Sequence, residues 1–244
     1  VRPGGPESDL FTRSARQYAG GRFGRRVTVL LAGVATAPGD LGAAMLREAG
    51  LDISVSLVDD DTPVSRAAVA GQPNLGRCAF GDLRAAALLP RSFDIVQCVR
   101  LLDRISHAEL VLDRLVAAIK PGGLLLLQIR DRGSAAGFLD RAAPRLARRL
   151  LWRSLQPGRP GPFPAVYEPL TSVHGVQVFA RLRGLEIVES RAEGGRAAQR
   201  PTAPRWHVAV QSLVARLSRG RLTDAHEDVL YVLRKPEDRF ARLS

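Results

Sequence analysis

The chain is poor in cysteine, lysine, methionine and aromatic side chains, and each shortage removes a class of protein. Its two cysteines, Cys78 and Cys98, each stand alone among apolar neighbours. They supply neither a disulfide framework nor a metal-ligand spacing, and both read as buried thiols in a reducing cytoplasm. No apolar run is long enough to cross a bilayer, and residues 1–26 hold no hydrophobic centre of a secretory signal. Only two lysines, Lys120 and Lys235, contribute to a formal net charge of +12, so arginine carries it. Such a charge attracts polyanions, anionic lipid or acidic substrates. Ala, Arg, Gly and Pro are abundant together, a bias that a GC-rich genome produces unselected, and no aromatic-interleaved basic strand accompanies it, so nucleic acid is not the expected partner. Also missing are a nucleophile elbow, a phosphate loop with lysine and a cluster of metal ligands. Hydrolase, NTPase and metalloenzyme readings fall away, and the expected metal content is none.

What is present is a hydrophobic fraction of 45% spread over 244 residues, enough for one domain with a sizeable core. Apolar runs bounded by turn residues alternate with amphipathic stretches, which predicts an α/β fold with a mostly parallel sheet covered by helices. Strands are predicted over 27–33, 53–61, within 76–83, and over 93–99, 124–129, 185–190 and 227–235. Helices are predicted over 41–50, from Pro63 after a Thr62 cap, after Ser106 and over 207–220. Of the three consecutive acids before Pro63, Asp61 is the expected partner of the helix start. Ser106 and Glu109 form a capping box, with Leu112, Leu115, Val116 and Ile119 on one face of the following helix. Residues 132–176 read as an inserted cover segment with an Arg-rich helix. Its Leu146, Leu150 and Leu155 make an apolar stripe, either a solvated cover helix or one lying on a membrane surface. Residues 1–26 form a separate segment, a lid or a docking element carrying Phe11, Tyr18 and Phe23, and 27–244 form the main domain.

The stretch "SFDIVQCVRLLDRISHAELVLDRLVAAIKPGGLLLLQIRD" resembles the fourth strand, helix, Lys-Pro-Gly-Gly turn and fifth strand of the class I S-adenosylmethionine-dependent methyltransferases of small-molecule type. "SLVDDD" resembles the acidic end of that family's second strand, and "GDLRAAALLPRSFD" its acidic loop beside the adenine. The resemblance runs from about residue 27 to 131 and implies a Rossmann-like, seven-stranded sheet with S-adenosyl-L-methionine as cofactor. It implies that Asp59 or Asp60 accepts from the ribose diol, that Asp82 accepts from the adenine amino group with Leu83 against the ring, and that Cys98 borders the cofactor.

"VLLAGVATAPGD" (29–40) departs from the family's glycine-rich loop. Gly33, Ala35, Ala37 and Gly39 are the candidate cofactor contacts, in either of two registers, and the usual preceding acid is replaced by Gly33 or Leu31. Alanine at two glycine positions and a missing carboxylate predict weakened or lost cofactor binding. Asp103 stands where the family often has a histidine. Asp103, Tyr167 and His174 are the candidate catalytic groups, while His107 and His207 read as structural. Two functions follow: methyl transfer to a small-molecule acceptor, a hydrophobic or acidic secondary metabolite, or a methyltransferase fold serving as a non-methylating, cyclase-like catalyst or a binding or scaffold subunit. Monomer and homodimer stay open.

Overall fold

The computed structural model describes residues 6–22, 25–33, 52–70, 75–144, 146, 148, 150, 163–194 and 205–237. Seven strands are hydrogen-bonded into one sheet: β1 (Val27–Ala32), β2 (Ile53–Asp59), β3 (Cys78–Phe80), β4 (Phe93–Val99), β5 (Ile119–Arg130), β6 (Glu186–Glu193) and β7 (Asp228–Arg234). Their order is β3-β2-β1-β4-β5-β7-β6. β1 to β5 pair in parallel, whereas β7 runs antiparallel between β5 and β6. The predicted α/β class with a mostly parallel seven-stranded sheet is therefore the observed one. β4 is largely apolar because both of its faces are covered, and all but its first residue are buried, Asp94 and Gln97 included.

Six described helices accompany the sheet: α1 (Pro6–Gly20), α2 (Pro63–Ala70), α3 (Ala108–Ala118), α4 (Ala135–Ala142), α5 (Val173–Leu182) and α6 (Arg205–Leu217). Strand alternation splits the core into two layers. Leu30, Val96, Cys98, Leu125, Leu127 and Tyr231 face Val111, Leu112 and Leu115 of α3 and Val176 and Phe179 of α5. Val29, Leu31, Ile95, Leu126 and Val232 face Leu10, Phe11, Ala15 and Ala19 of α1. The N-terminal segment thus contributes a helix buried on one sheet face. Phe23, the helix expected over 41–50 and Leu155 lie outside the described residues.

Several local expectations are corrected. The capping box at Ser106 and Glu109 does not form: α3 starts at Ala108 after His107, whose φ is 58° and whose side chain makes no cap bond. The Glu168 carboxylate accepts from the backbone N–H groups of His107 (2.6 Å) and Ala108 (2.9 Å), so the cap comes from 60 residues downstream. Asp61 is not the cap of α2. Thr62 Oγ1 accepts from the Ser65 N–H at 3.1 Å, while Asp61 pairs with Arg66 at 2.6 Å. Lys120 to Gly123 fall within the span of β5 but bulge out of its pairing with β4, with Gly122 at φ +75°, so the expected turn is an irregularity at the start of the strand. Cys78 is exposed, because β3 is a three-residue edge strand paired only with β2; Cys98 is buried as expected.

Candidate functional site

Parallel α/β sheets bind ligands in the crevice outside the carboxyl ends of their strands, and here those ends carry a buried polar layer. β1 is followed directly by Gly33, whose φ of +84° suits glycine and whose added Cβ would lie 2.6 Å from the Val99 carbonyl oxygen. Glycine there lets the chain pass close to the end of β4. Ala35, Ala37 and Gly39 fall outside the described residues. β2 ends at Asp59, fully buried, followed by Asp60, whose side chain is one-third exposed. Burial pushes the Asp60 carboxyl up, but its bonding with Asp59 and the Arg104 charge outweigh that and hold it below the usual carboxylate range. Asp82, after β3, is exposed and paired with Arg84 at 2.8 Å. The Arg84 hydrogen bonds lower its pKa to about 2. Leu83 beside it is buried in the α3-side core.

The turn after β4 is the densest part. Arg100, at φ 51°, donates through Nε to Asp103 Oδ2 at 3.0 Å and through Nη1 to both oxygens of Asp228. Burial works against the Arg100 charge, but Asp228 and Asp103 outweigh it and keep the guanidinium protonated. Arg130 joins Asp228 at 3.2 Å and Glu227 at 3.5 Å. Asp103 keeps its other oxygen, Oδ1, buried with no hydrogen-bond partner. Next in sequence, Arg104 reaches across to β2: its Nη2 donates to Asp59 Oδ1 and, at 2.6 Å, to Asp60 Oδ1. The Phe163 ring covers this guanidinium at 4.8 Å. Cys98, the sixth residue of β4, is buried in the α3-side core. Burial first, then the Asp103 charge, pushes its thiol well up, which leaves it neutral and inert.

The cover segment is docked on this turn. The N–H groups of Val166 and Tyr167 donate to the Asp103 carbonyl oxygen at 3.0 and 3.2 Å. Tyr167, at φ 48°, is buried and donates its hydroxyl to Asp140 of α4 at 2.6 Å. Burial raises its pKa well above the usual phenol value. His174 is exposed in the first turn of α5, and His107 is exposed at the start of α3. Asp103 and Tyr167 therefore meet, while Asp59 and Asp60 meet Arg104. Among the described residues no group of three or more His, Cys, Asp or Glu is arranged to hold a metal, and no helix is long and apolar enough to cross a membrane.

Sequence reasoning did not single out Arg100, Arg104, Asp131 or His226. Asp131, which closes β5, accepts from the Gly133 N–H at 2.9 Å and pairs with His226 Nε2 at 2.9 Å. His226 precedes β7, and an acid at the end of β5 facing the start of a neighbouring strand was the available signal. A cavity of about 660 Å³ lies elsewhere, lined by Phe138, Val214, Leu217 and Leu222, and no candidate residue lines it.

The strand order is that of the class I S-adenosylmethionine-dependent methyltransferase fold. Solved structures agree. An S-adenosylmethionine-dependent methyltransferase from Mesorhizobium loti superposes with a TM-score of 0.58 at 14% identity, covering 95% of this chain and 99% of that one. The YcgJ protein of Bacillus subtilis superposes at 0.55 and 16% identity, covering 95% and 98%. The [4+2]-cyclase SpnF superposes at 0.53 and 15% identity, covering 94% and 81%. No protein-family model and no curated protein matches the sequence. At such identities the likeness is one of fold.

Proposed function

We propose that the protein is an S-adenosylmethionine-dependent methyltransferase acting on a small-molecule acceptor. The observation that carries this reading is the row of acids Asp59, Asp60 and Asp82 at the carboxyl ends of adjacent strands β2 and β3, beside the close passage at Gly33. Their chemistry suits the cofactor: Asp59 and Asp60 would accept from the ribose diol, Asp82 from the adenine amino group, and Leu83 would lie against the ring. Gly33, Ala35, Ala37 and Gly39 would pass beneath the methionine end, with Cys98 forming an apolar floor. When bound, the cofactor supplies an electrophilic methyl group, and the chain has mainly to position the acceptor in line with it.

At the acceptor, Asp103 is the group assigned to take a departing proton, because Oδ2 is held by Arg100 while Oδ1 is free to accept. Tyr167 has its hydroxyl committed to Asp140, so its part is to position the cover segment. His174, exposed on α5, is assigned to the acceptor rim. The exposed, unpaired Cys78 favours a reducing compartment, the cytoplasm.

One observation favours a second reading. Arg104 already occupies Asp59 and Asp60, as expected of a methyltransferase fold that serves as a non-methylating catalyst or a binding subunit. Calorimetric titration with S-adenosylmethionine and its demethylated product, paired with thermal melts, tests the first reading. Saturable binding below about 1 mM, corresponding to roughly 4 kcal/mol or more, supports it. No heat and no thermal stabilisation at that concentration, in the native chain and in the Arg104 variant described below, overturns it.

A further inference from the structure

Arg104 lies on the ligand side of the sheet, yet its side chain is only 2% exposed. It spends a single nitrogen, Nη2, on both acids at the end of β2, while Nε and Nη1 are buried with no hydrogen-bond partner. Those acids are the ones a ribose diol requires, and a guanidinium and a diol compete for the same lone pairs. The position is held from above by the Phe163 ring and by the docking of 166–167 on the Asp103 carbonyl, a segment that includes a left-handed residue at Tyr167. One residue away, Asp103 Oδ1 is a buried acceptor without a donor. The guanidinium is thus buried with two of its three nitrogens unmet, so its resting position carries a desolvation cost that favours release when a diol takes over the two acids.

We propose that Arg104 is a latch: it occupies the diol-binding carboxylates in the resting protein, Phe163 holds it there, and the cofactor binds only when the side chain swings off Asp59 and Asp60. This rests on the cofactor reading above and adds a gate to it. The apparent affinity of a ligand falls by the fraction of molecules that are competent to bind, so removing an internal competitor raises it by the same factor.

The test is calorimetric titration of S-adenosylmethionine into the native chain, Arg104→Gln and Phe163→Ala, each checked by far-UV circular dichroism and a thermal melt. Arg104→Gln is expected to bind about tenfold more tightly, and Phe163→Ala several-fold more tightly. Phe163→Ala leaves both ion pairs in place, so it keeps the question open to refutation if Arg104→Gln folds poorly. Equal affinity in all three proteins overturns the latch while leaving the cofactor reading intact. Weaker binding by Arg104→Gln overturns it too, since Arg104 would then be a cofactor contact. Absence of binding in all three removes the cofactor reading and the latch together.

Discussion

Asp94 at the amino edge of the sheet and Asp103 at the carboxyl edge are both buried carboxylates beside β4, and they are served very differently. Asp94 Oδ2 accepts from the Thr28 N–H (2.9 Å), the Thr28 hydroxyl (2.7 Å) and Lys120 (2.7 Å), while Oδ1 accepts from Arg22 at 3.1 Å and is approached by the Tyr18 hydroxyl at 3.4 Å. Burial pushes its carboxyl up, and the Lys120 and Thr28 hydrogen bonds outweigh that and hold it below the usual range. This hub ties α1, β1, β4 and β5 together. Asp103 has one charged partner and one orphaned oxygen, and Arg104 and Tyr231 also carry orphaned polar atoms. A buried polar group without a partner costs stability, so evolution tolerates it chiefly where a ligand completes it. The amino-edge acid is fully partnered, whereas the carboxyl edge leaves polar atoms that the proposed cofactor and acceptor would complete.

The sharpest way to break this contrast is to remove each acid in turn. Asp94→Ala strands a half-buried Lys120 and the Thr28 donors, and should destabilise the protein by about 3 kcal/mol or more in urea unfolding. Asp103→Asn removes one of three bonds to an Arg100 that Asp228 still neutralises, and relieves a charge with an unmet acceptor. Its expected cost is under about 1 kcal/mol, and an equal loss in both variants would erase the distinction.

What the sequence made legible follows from how local each signal was. The strands announced themselves because β4 and residues 124–127 of β5 are buried on both faces and read as largely apolar stretches, and β2 revealed its carboxyl end through its acids. The cap of α3 was illegible because its acceptor, Glu168, is brought in by the cover segment from far along the chain. Arg104 was hidden for a related reason. Nothing in "LLDRIS" says that the arginine turns inward toward β2, since this depends on the backbone turn that starts at the left-handed Arg100 and on the ring of Phe163 above it. The acids were visible and their occupant was not.

A smaller effect probes how the cover segment is fastened to the ligand edge. Glu168→Ala removes the carboxylate that receives two N–H groups at the start of α3 and should cost about 1–2 kcal/mol, as the loss of a helix cap does. Glu168→Gln keeps an acceptor and should lose less than half of that. If both are neutral in thermal melts, water replaces the carboxylate and the cover segment is not anchored through this contact.

The finest comparison uses the tyrosines, of which the chain has three. Burial, followed by the Asp94 charge, raises Tyr18 to about 12 at the amino edge, and burial, followed by Asp131, raises Tyr231 to about 12 at the carboxyl edge. Tyr167 is also raised, chiefly by burial. A phenol whose folded pKa exceeds its unfolded value of about 10 contributes stability below pH 10 and loses it as pH climbs toward 12. Absorbance at the phenolate band should therefore show no step near pH 10, and urea midpoints should fall between pH 10 and 12. In Asp94→Asn the Tyr18 step should move down while that of Tyr231 stays, because the acid that acts on each phenol lies at its own edge of the sheet. A common shift of both would mean that overall loosening, and not the local carboxylate, governs the pair.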